Sequence, residues 1–141
     1  MANYNDIGVA DVGFLAATNL SLMQYYFVIP GSVAGEVASA TGASNPTPFG
    51  ILQNAPSAGQ EARVRVFGFS KLFCKTTSTC GIAYGRYITS NACGQGIAQE
   101  TESGSIVLAR NFDTAAPVSA SRFLKVFVNC AGVSPCAVSA S

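Results

Sequence analysis

Hydrophobic and polar positions alternate most regularly between Glu61 and Phe69. Ala62, Val64 and Val66 fall on one side of an extended chain; Arg63, Arg65 and Phe67 fall on the other. A period of two predicts a strand, and the 3.6-residue period of a helix is absent. Just upstream, Phe49, Ile51 and Leu52 make a short apolar strand. The residues between the two strands, Asn54, Pro56, Ser57, Ala58 and Gly59, are turn formers. The stretch from Pro48 to Phe73 therefore predicts a β-hairpin.

The same grammar of short strand and Gly or Pro turn runs through the rest of the chain. Leu20 to Ile29 predicts a strand, rich in aromatic and β-branched residues and stopped by Pro30-Gly31. Val33 to Ala38 predicts a short second one, followed by a loop at Thr41 to Pro46. Further short strands are predicted at Ile82 to Tyr84, Tyr87 to Thr89, Ile97 to Glu102, Ile106 to Phe112 and Phe123 to Val128. No amphipathic helix of useful length is visible. Many short strands with turns at close spacing predict an all-β fold, a small barrel or sandwich. Residues 1–20 are small and polar, with Ile7, Val9, Val12, Phe14 and Leu15 as apolar anchors. They predict an extended arm that grips a neighbour rather than a core element. The expected division is an arm over 1–20, a barrel-like domain over 21–130 and a short tail over 131–141.

Composition sharpens this picture. Charged residues are 11% of the 141 residues and hydrophobic ones 49%, against about 25% charged in ordinary soluble domains. A surface with so few charges is expected to be covered by other subunits, or else to be built of small neutral residues. The net charge is +1 and the basic residues are scattered. That argues against nucleic acid, which needs a basic stripe. The longest apolar run, Tyr25 to Pro30, is far short of the ~20 residues a spanning helix requires, so no membrane partner is expected. The first residues lack the basic and apolar regions of a signal peptide, and no secretory export is expected.

Candidate chemistry is sparse. The sequence has no histidine, the usual general acid or base. Glu100 and Glu102 could share a strand face, yet two carboxylates on a small strand are more often simply solvated. Asp113 stands alone. Gly94-Gln95-Gly96 lacks the third glycine of a dinucleotide loop, and Cys93 has no histidine to lower its pKa. An enzyme is not expected, and neither is a cofactor or a metal. Five cysteines remain: Cys74, Cys80, Cys93, Cys130 and Cys136. Cys74/Cys80 and Cys130/Cys136 share one spacing and are candidate disulfides, with buried free thiols as the alternative. Tyr25, Tyr26, Tyr84 and Tyr87 are candidates for an exposed platform that would bind carbohydrate, or else for core and interface positions.

The hairpin phrase PFGILQNAPSAGQEARVRVFGFSKL at Pro48 to Leu72 resembles that of the tailed-bacteriophage capsid decoration, or cement, proteins. Gly85 to Ala98 occupies the place of a following glycine-containing segment. Val107 to Asn129, with Ala109-Arg110 and Arg122 to Asn129, is similar in kind to a later phrase. The likeness spans Asn19 to Gly132. It implies a β-barrel, tulip-like domain with an extended N-terminal arm and short C-terminal tail. It also implies a homotrimer on the outer surface of the capsid, made in the host cytoplasm and carried on the virion, that ties neighbouring major capsid protein subunits together. The alternative function is a carbohydrate-binding, adhesive β-module. The cysteines, and Phe67 and Phe69, depart from the pattern. The expected subunit or capsid contacts are Ile7, Val9, Phe14, Arg63, Arg65, Phe67 and Phe69, with strand edges as further pairing templates.

Overall fold

The computed structural model describes residues 10–40, 48–76, 81–91, 93–98, 107–117 and 119–129. Among them the chain is all-β and has no helix. The first half supplies β1 (Ala10–Ala16), β2 (Phe27–Pro30), β3 (Glu36–Ser39) and β4 (Gly50–Leu52). The longest strand, β5 (Glu61–Cys74), follows. The second half supplies β6 (Tyr87–Ser90), β7 (Gly96–Ala98), β8 (Ala109–Asn111) and β9 (Arg122–Asn129).

The expected hairpin is present. Ile51 pairs with Arg65 and Leu52 with Val64, antiparallel. Asn54 fastens its turn: the side-chain amide donates to the Glu61 carbonyl at 2.9 Å, and its oxygen accepts the Arg63 N–H at 3.0 Å. The strand nevertheless runs on past Phe69 to Cys74, because the alternation of buried and outward residues continues through Ser70, Leu72 and Cys74.

This long strand belongs to two closed circuits. One runs β1–β3–β2–β4–β5 and closes where β1 pairs with β5. The other runs β5–β7–β6–β8–β9 and closes where β9 pairs with β5. The first half of β5 serves the first circuit and the second half the second. At the exchange, Ala10 opposes Phe67 and Asp11 opposes Arg65, which leaves Val66 as a bulge. Gly68, at φ 119, follows it, a backbone region that side chains other than hydrogen rarely tolerate.

Each circuit encloses its own core. Ala16, Leu20, Val28, Val37, Leu52, Ala62 and Val64 fill the first. Phe27, Ile51, Leu72, Cys74, Ile82, Ile88, Leu108, Leu124, Val126 and Val128 are prominent in the second. Successive residues of a strand point to opposite faces, so Phe27 and Val28 divide between the two cores, as do Ile51 and Leu52.

Three expectations change. The second half of the presumed arm is β1, paired with β3 and β5 and ending in buried Ala16. Its small residues let it lie close against two neighbours. Leu20 to Tyr26 is mostly turn, and only Phe27–Pro30 is strand. Finally, every described strand has a neighbour on both sides, so strand addition at a free edge has no template among the described residues.

Candidate functional site

The outer side of β5 and β9 carries a pattern written twice in the sequence. Phe69-Ser70-Lys71-Leu72-Phe73 and Phe123-Leu124-Lys125-Val126-Phe127 both read Phe-x-Lys-x-Phe. The antiparallel register sets Phe69 opposite Phe127, Lys71 opposite Lys125, and Phe73 opposite Phe123. The alternate residues Leu72, Leu124 and Val126 point into the core. Two strands with one period thus make a core on one face and an aromatic–lysine–aromatic sandwich on the other.

The aromatic rows extend beyond the two strands. At one end Phe73 stacks on Tyr26, with centroids 5.6 Å apart and an interplanar angle of 12°. Phe123 meets Phe73 at 5.2 Å and Tyr25 at 6.0 Å, both edge to face. At the other end Phe127 meets Phe67 at 5.1 Å and Phe69 at 5.3 Å. Phe69 also meets Phe112, which meets Tyr84. Edge-to-face pairs contribute about 0.5–1.5 kcal/mol each beyond area burial. Yet Phe123 and Tyr87 remain 49% exposed, Tyr84 67%, and Phe67 and Phe112 37%. This is a large apolar face left to solvent, the usual mark of a contact surface.

Between the rows lies an open cleft of about 330 Å³, lined by Tyr25, Gln53, Arg65, Phe69, Lys71, Asp113, Phe123 and Lys125 among others. Tyr25 stands in the left-handed backbone region at φ 69, uncommon for any residue but glycine. Its N–H donates to the Leu52 carbonyl at 2.7 Å, and its carbonyl accepts the Phe73 N–H at 2.9 Å. These bonds hold the ring at the cleft wall, where Lys71 Nζ lies 5.7 Å from its centroid. Asp113 is fixed on the opposite side. Its two carboxylate oxygens accept the N–H groups of Thr114 and Lys125. Those two bonds, with the charges of Arg122 and Lys125, hold its carboxyl below the usual carboxylate range. Below it, buried Asn111 donates to the Ala83 carbonyl at 3.0 Å and accepts the Asp113 N–H at 2.9 Å.

The expected contact residues divide. Phe67 and Phe69 belong to this face. Arg63 is exposed on the outer side of the first circuit, opposite Gly13. Arg65 is bound within its own chain: a bidentate pair with Asp11 at 2.7 and 2.9 Å, and a bond to the Phe69 carbonyl. Phe14 packs inward on the first core, edge to face with Phe49 at 5.3 Å. Ile7 and Val9 lie outside the described residues. Lys71, Phe73, Phe123, Lys125 and Phe127 went unread, although the repeated Phe-x-Lys-x-Phe pattern could have found them. The four tyrosines do not form one platform. Tyr25 and Tyr26 stand at one end, while Tyr84 and Tyr87 stand at the other, with Arg110 over Tyr87 at 5.0 Å.

Of the candidate bridges, Cys74 is a free thiol in the second core, its Sγ 3.5 Å from the Leu72 carbonyl. Cys80, Cys130 and Cys136 lie outside the described residues, as do Glu100 and Glu102. Burial pushes the Cys74 thiol up to about 12, whereas Cys93 is exposed in a turn. An alkylating reagent at pH 8 should therefore modify Cys93 within minutes and Cys74 only once the fold is opened with denaturant, without reductant. Peptide mapping reads both. A Cys74 that stays unmodified in denaturant would be bridged.

No protein-family model matches the sequence, and no curated protein does. Solved structures do match the fold. A chain of the capsid of the Myoviridae phage XM1 superposes with a TM-score of 0.62 at 16% identity, over 88% of this chain and 85% of that one. The N base of head fibre gp8.5 of bacteriophage phi29 superposes with a TM-score of 0.57 at 13% identity, over 86% of this chain and 94% of that one. The likeness is one of fold, and the fold is that of proteins of phage heads, as the hairpin resemblance implied.

Proposed function

We propose that the chain is a structural protein of a phage virion. It would sit on the outer surface of the capsid as a homotrimer and tie neighbouring major capsid protein subunits together. The observation that carries this reading is the large solvent-facing aromatic surface on a fold otherwise closed on itself. No strand edge is open among the described residues, so the contact they offer is face to face. The aromatic surface is what the fold offers for that. Paired, partly exposed Phe and Tyr rings supply contact area at little entropic cost, the composition of energetic centres of interfaces. The likeness to phage-head folds and the low charge of the chain support the same reading.

Size-exclusion chromatography with light scattering tests the assembly. Three copies are expected, and a monomer at all concentrations would refute it. Phe67→Ser tests the face. Phe67 is 37% exposed and touches Phe127, so its loss should cost the fold only about 1 kcal/mol. It should weaken assembly or capsid binding by about 30-fold, as removal of a central aromatic anchor does. Equal loss of thermal stability and assembly would instead make Phe67 part of the core.

A further inference from the structure

Arg110 of β8 is exposed, with two aromatic rings beside it. Its guanidinium carbon lies 5.0 Å from the centroid of Tyr87 and 5.8 Å from that of Phe112. Its Nε donates to the Gly85 carbonyl at 3.0 Å. The rings and this bond hold the planar group in one orientation. Among the described residues no carboxylate pairs with it, and its two terminal nitrogens have no acceptor. Two parallel N–H groups held in this way match a carboxylate. Beside Arg110 lies a groove of about 240 Å³, lined chiefly by Tyr87, Val107, Leu108, Phe127 and Asn129. That is below the roughly 300–1,000 Å³ of a small-molecule site and suits an apolar side chain or two. Exposed Tyr84 adjoins it through Phe112, their centroids 6.1 Å apart. Tyrosine and arginine around a small apolar hollow are the composition of the energetic centre of a contact between molecules. The chemistry that fits is a carboxylate with an apolar side chain next to it.

The chain holds seven acidic residues, and six of them do not offer that pair. Asp11 is bound by Arg65, and both oxygens of Asp113 accept backbone N–H groups. Glu36 and Glu61 are followed by Val37 and Ala62, which are buried in the first core. Glu100 and Glu102 have Gln99, Thr101 and Ser103 as neighbours. Asp6, followed by Ile7, does offer it; both lie outside the described residues. The position of Ala10 adds a second argument. Ala10 and Asn129 both pair with Phe67, so they stand no more than about 10 Å apart, two strand spacings. Asn129 lines the groove. The segment before Ala10 therefore leaves the body next to the groove, and Asp6, four residues earlier, has a reach of about 13–14 Å from Ala10.

We propose that the groove beside Arg110 receives the segment before Ala10 of a second copy of this chain. The Asp6 carboxylate would accept from the terminal nitrogens of Arg110, and Ile7 would fill the hollow over Leu108 and Phe127. One carboxylate meets one guanidinium, and one apolar side chain meets one hollow. Each copy presents a groove and a segment side by side, so copies that meet there can exchange segments, a low-cost route to assembly. The inference rests on the assembly proposed above and names a contact that would build it.

Two measurements on the full chain decide it. Light scattering compares wild type, Asp6→Asn, Arg110→Gln and the double variant. Each single change should weaken assembly by about tenfold, and the double variant should be no weaker than about the same, because both changes remove one interaction. Losses that multiply to about 100-fold, or single variants that assemble like wild type, overturn the pairing. Circular dichroism confirms folding. Should Arg110→Gln fail to fold, Arg110→Lys keeps the charge and loses the fork, and a smaller loss in the same direction is expected. In the second measurement Ile7 is replaced by photoreactive benzoylphenylalanine. Irradiation should give covalent dimers and trimers, with links mapped to Leu108, Phe127 or Asn129. Links within single chains, or links that miss the groove, overturn the exchange. A wild-type trimer without these links overturns the exchange and leaves the assembly standing. A wild type that is monomeric at all concentrations refutes the assembly, and the exchange with it.

Discussion

Gly50→Ala should destabilise the chain by about 3 kcal/mol or more, the upper range for forced overpacking of a core. Gly50 opens β4, wedged between β2 and β5. A Cβ there would stand 2.8 Å from the Arg65 carbonyl oxygen and press into the Val64 side chain as well. Neither neighbour can yield. Arg65 belongs to the strand shared by both circuits, and Val64 is wholly buried in the first core. Moving β4 outward would separate Ile51 and Leu52 from the two cores they fill. Gly59→Ala is the contrast. Gly59 has φ +81 but nothing within 4 Å of a new Cβ, so only the left-handed strain of about 1–2 kcal/mol applies. Thermal unfolding of the two variants should differ by about 3–8 °C. Equal stabilities would mean that β4 does not pack against β5 as described.

Asn111→Ala should cost about 3 kcal/mol, because three polar groups lose a partner at once. The side chain of Asn111 is fully buried. Its amide reaches the Ala83 carbonyl at 3.0 Å and the Ile82 carbonyl at 3.5 Å. Its oxygen accepts the Asp113 N–H at 2.9 Å. One residue thereby ties the segment after Gly81 to the turn that presents Asp113 to the lysine cleft. The loss should appear as a lowered melting temperature and as faster hydrogen exchange at the Asp113 amide, with the exchange of β1 and β3 less affected. A neutral Asn111→Ala would show that water replaces these bonds without penalty.

The parts of this fold that were legible in the sequence are those with local signals. The β4–β5 hairpin announced itself because Asn54 to Gly59 is turn chemistry and Ala62 to Val66 alternates. Strand β9 was equally plain. Strand β1 was not, since Gly13, Ala16 and neighbouring polar residues resemble a loose segment until β3 and β5 supply hydrogen-bond partners. The fusion of two closed circuits on β5 is a non-local fact, which no stretch of residues states. The proposed contact face is half visible. Phe67 and Phe69 stand out as large residues on an outward face, but Phe123 to Val128 reads only as a strand rich in apolar residues. Its Phe-x-Lys-x-Phe alternation gains meaning only when the register sets it against the same pattern in β5. Arg65 was misleading in the opposite sense. Its outward position suggested a partner outside the chain, while Asp11, 54 residues away in sequence, already binds it.

We propose above that this chain sits on the outer surface of a phage capsid, with the aromatic face of β5 and β9 as a contact surface. The most direct test is cryo-electron microscopy of capsids of the phage that encodes it, purified without this protein and then incubated with it. New density is expected on the outer shell in groups of three, with Phe67 and Phe123 at contacts. Capsids that remain bare at saturating protein, or density on the inner surface, would contradict it.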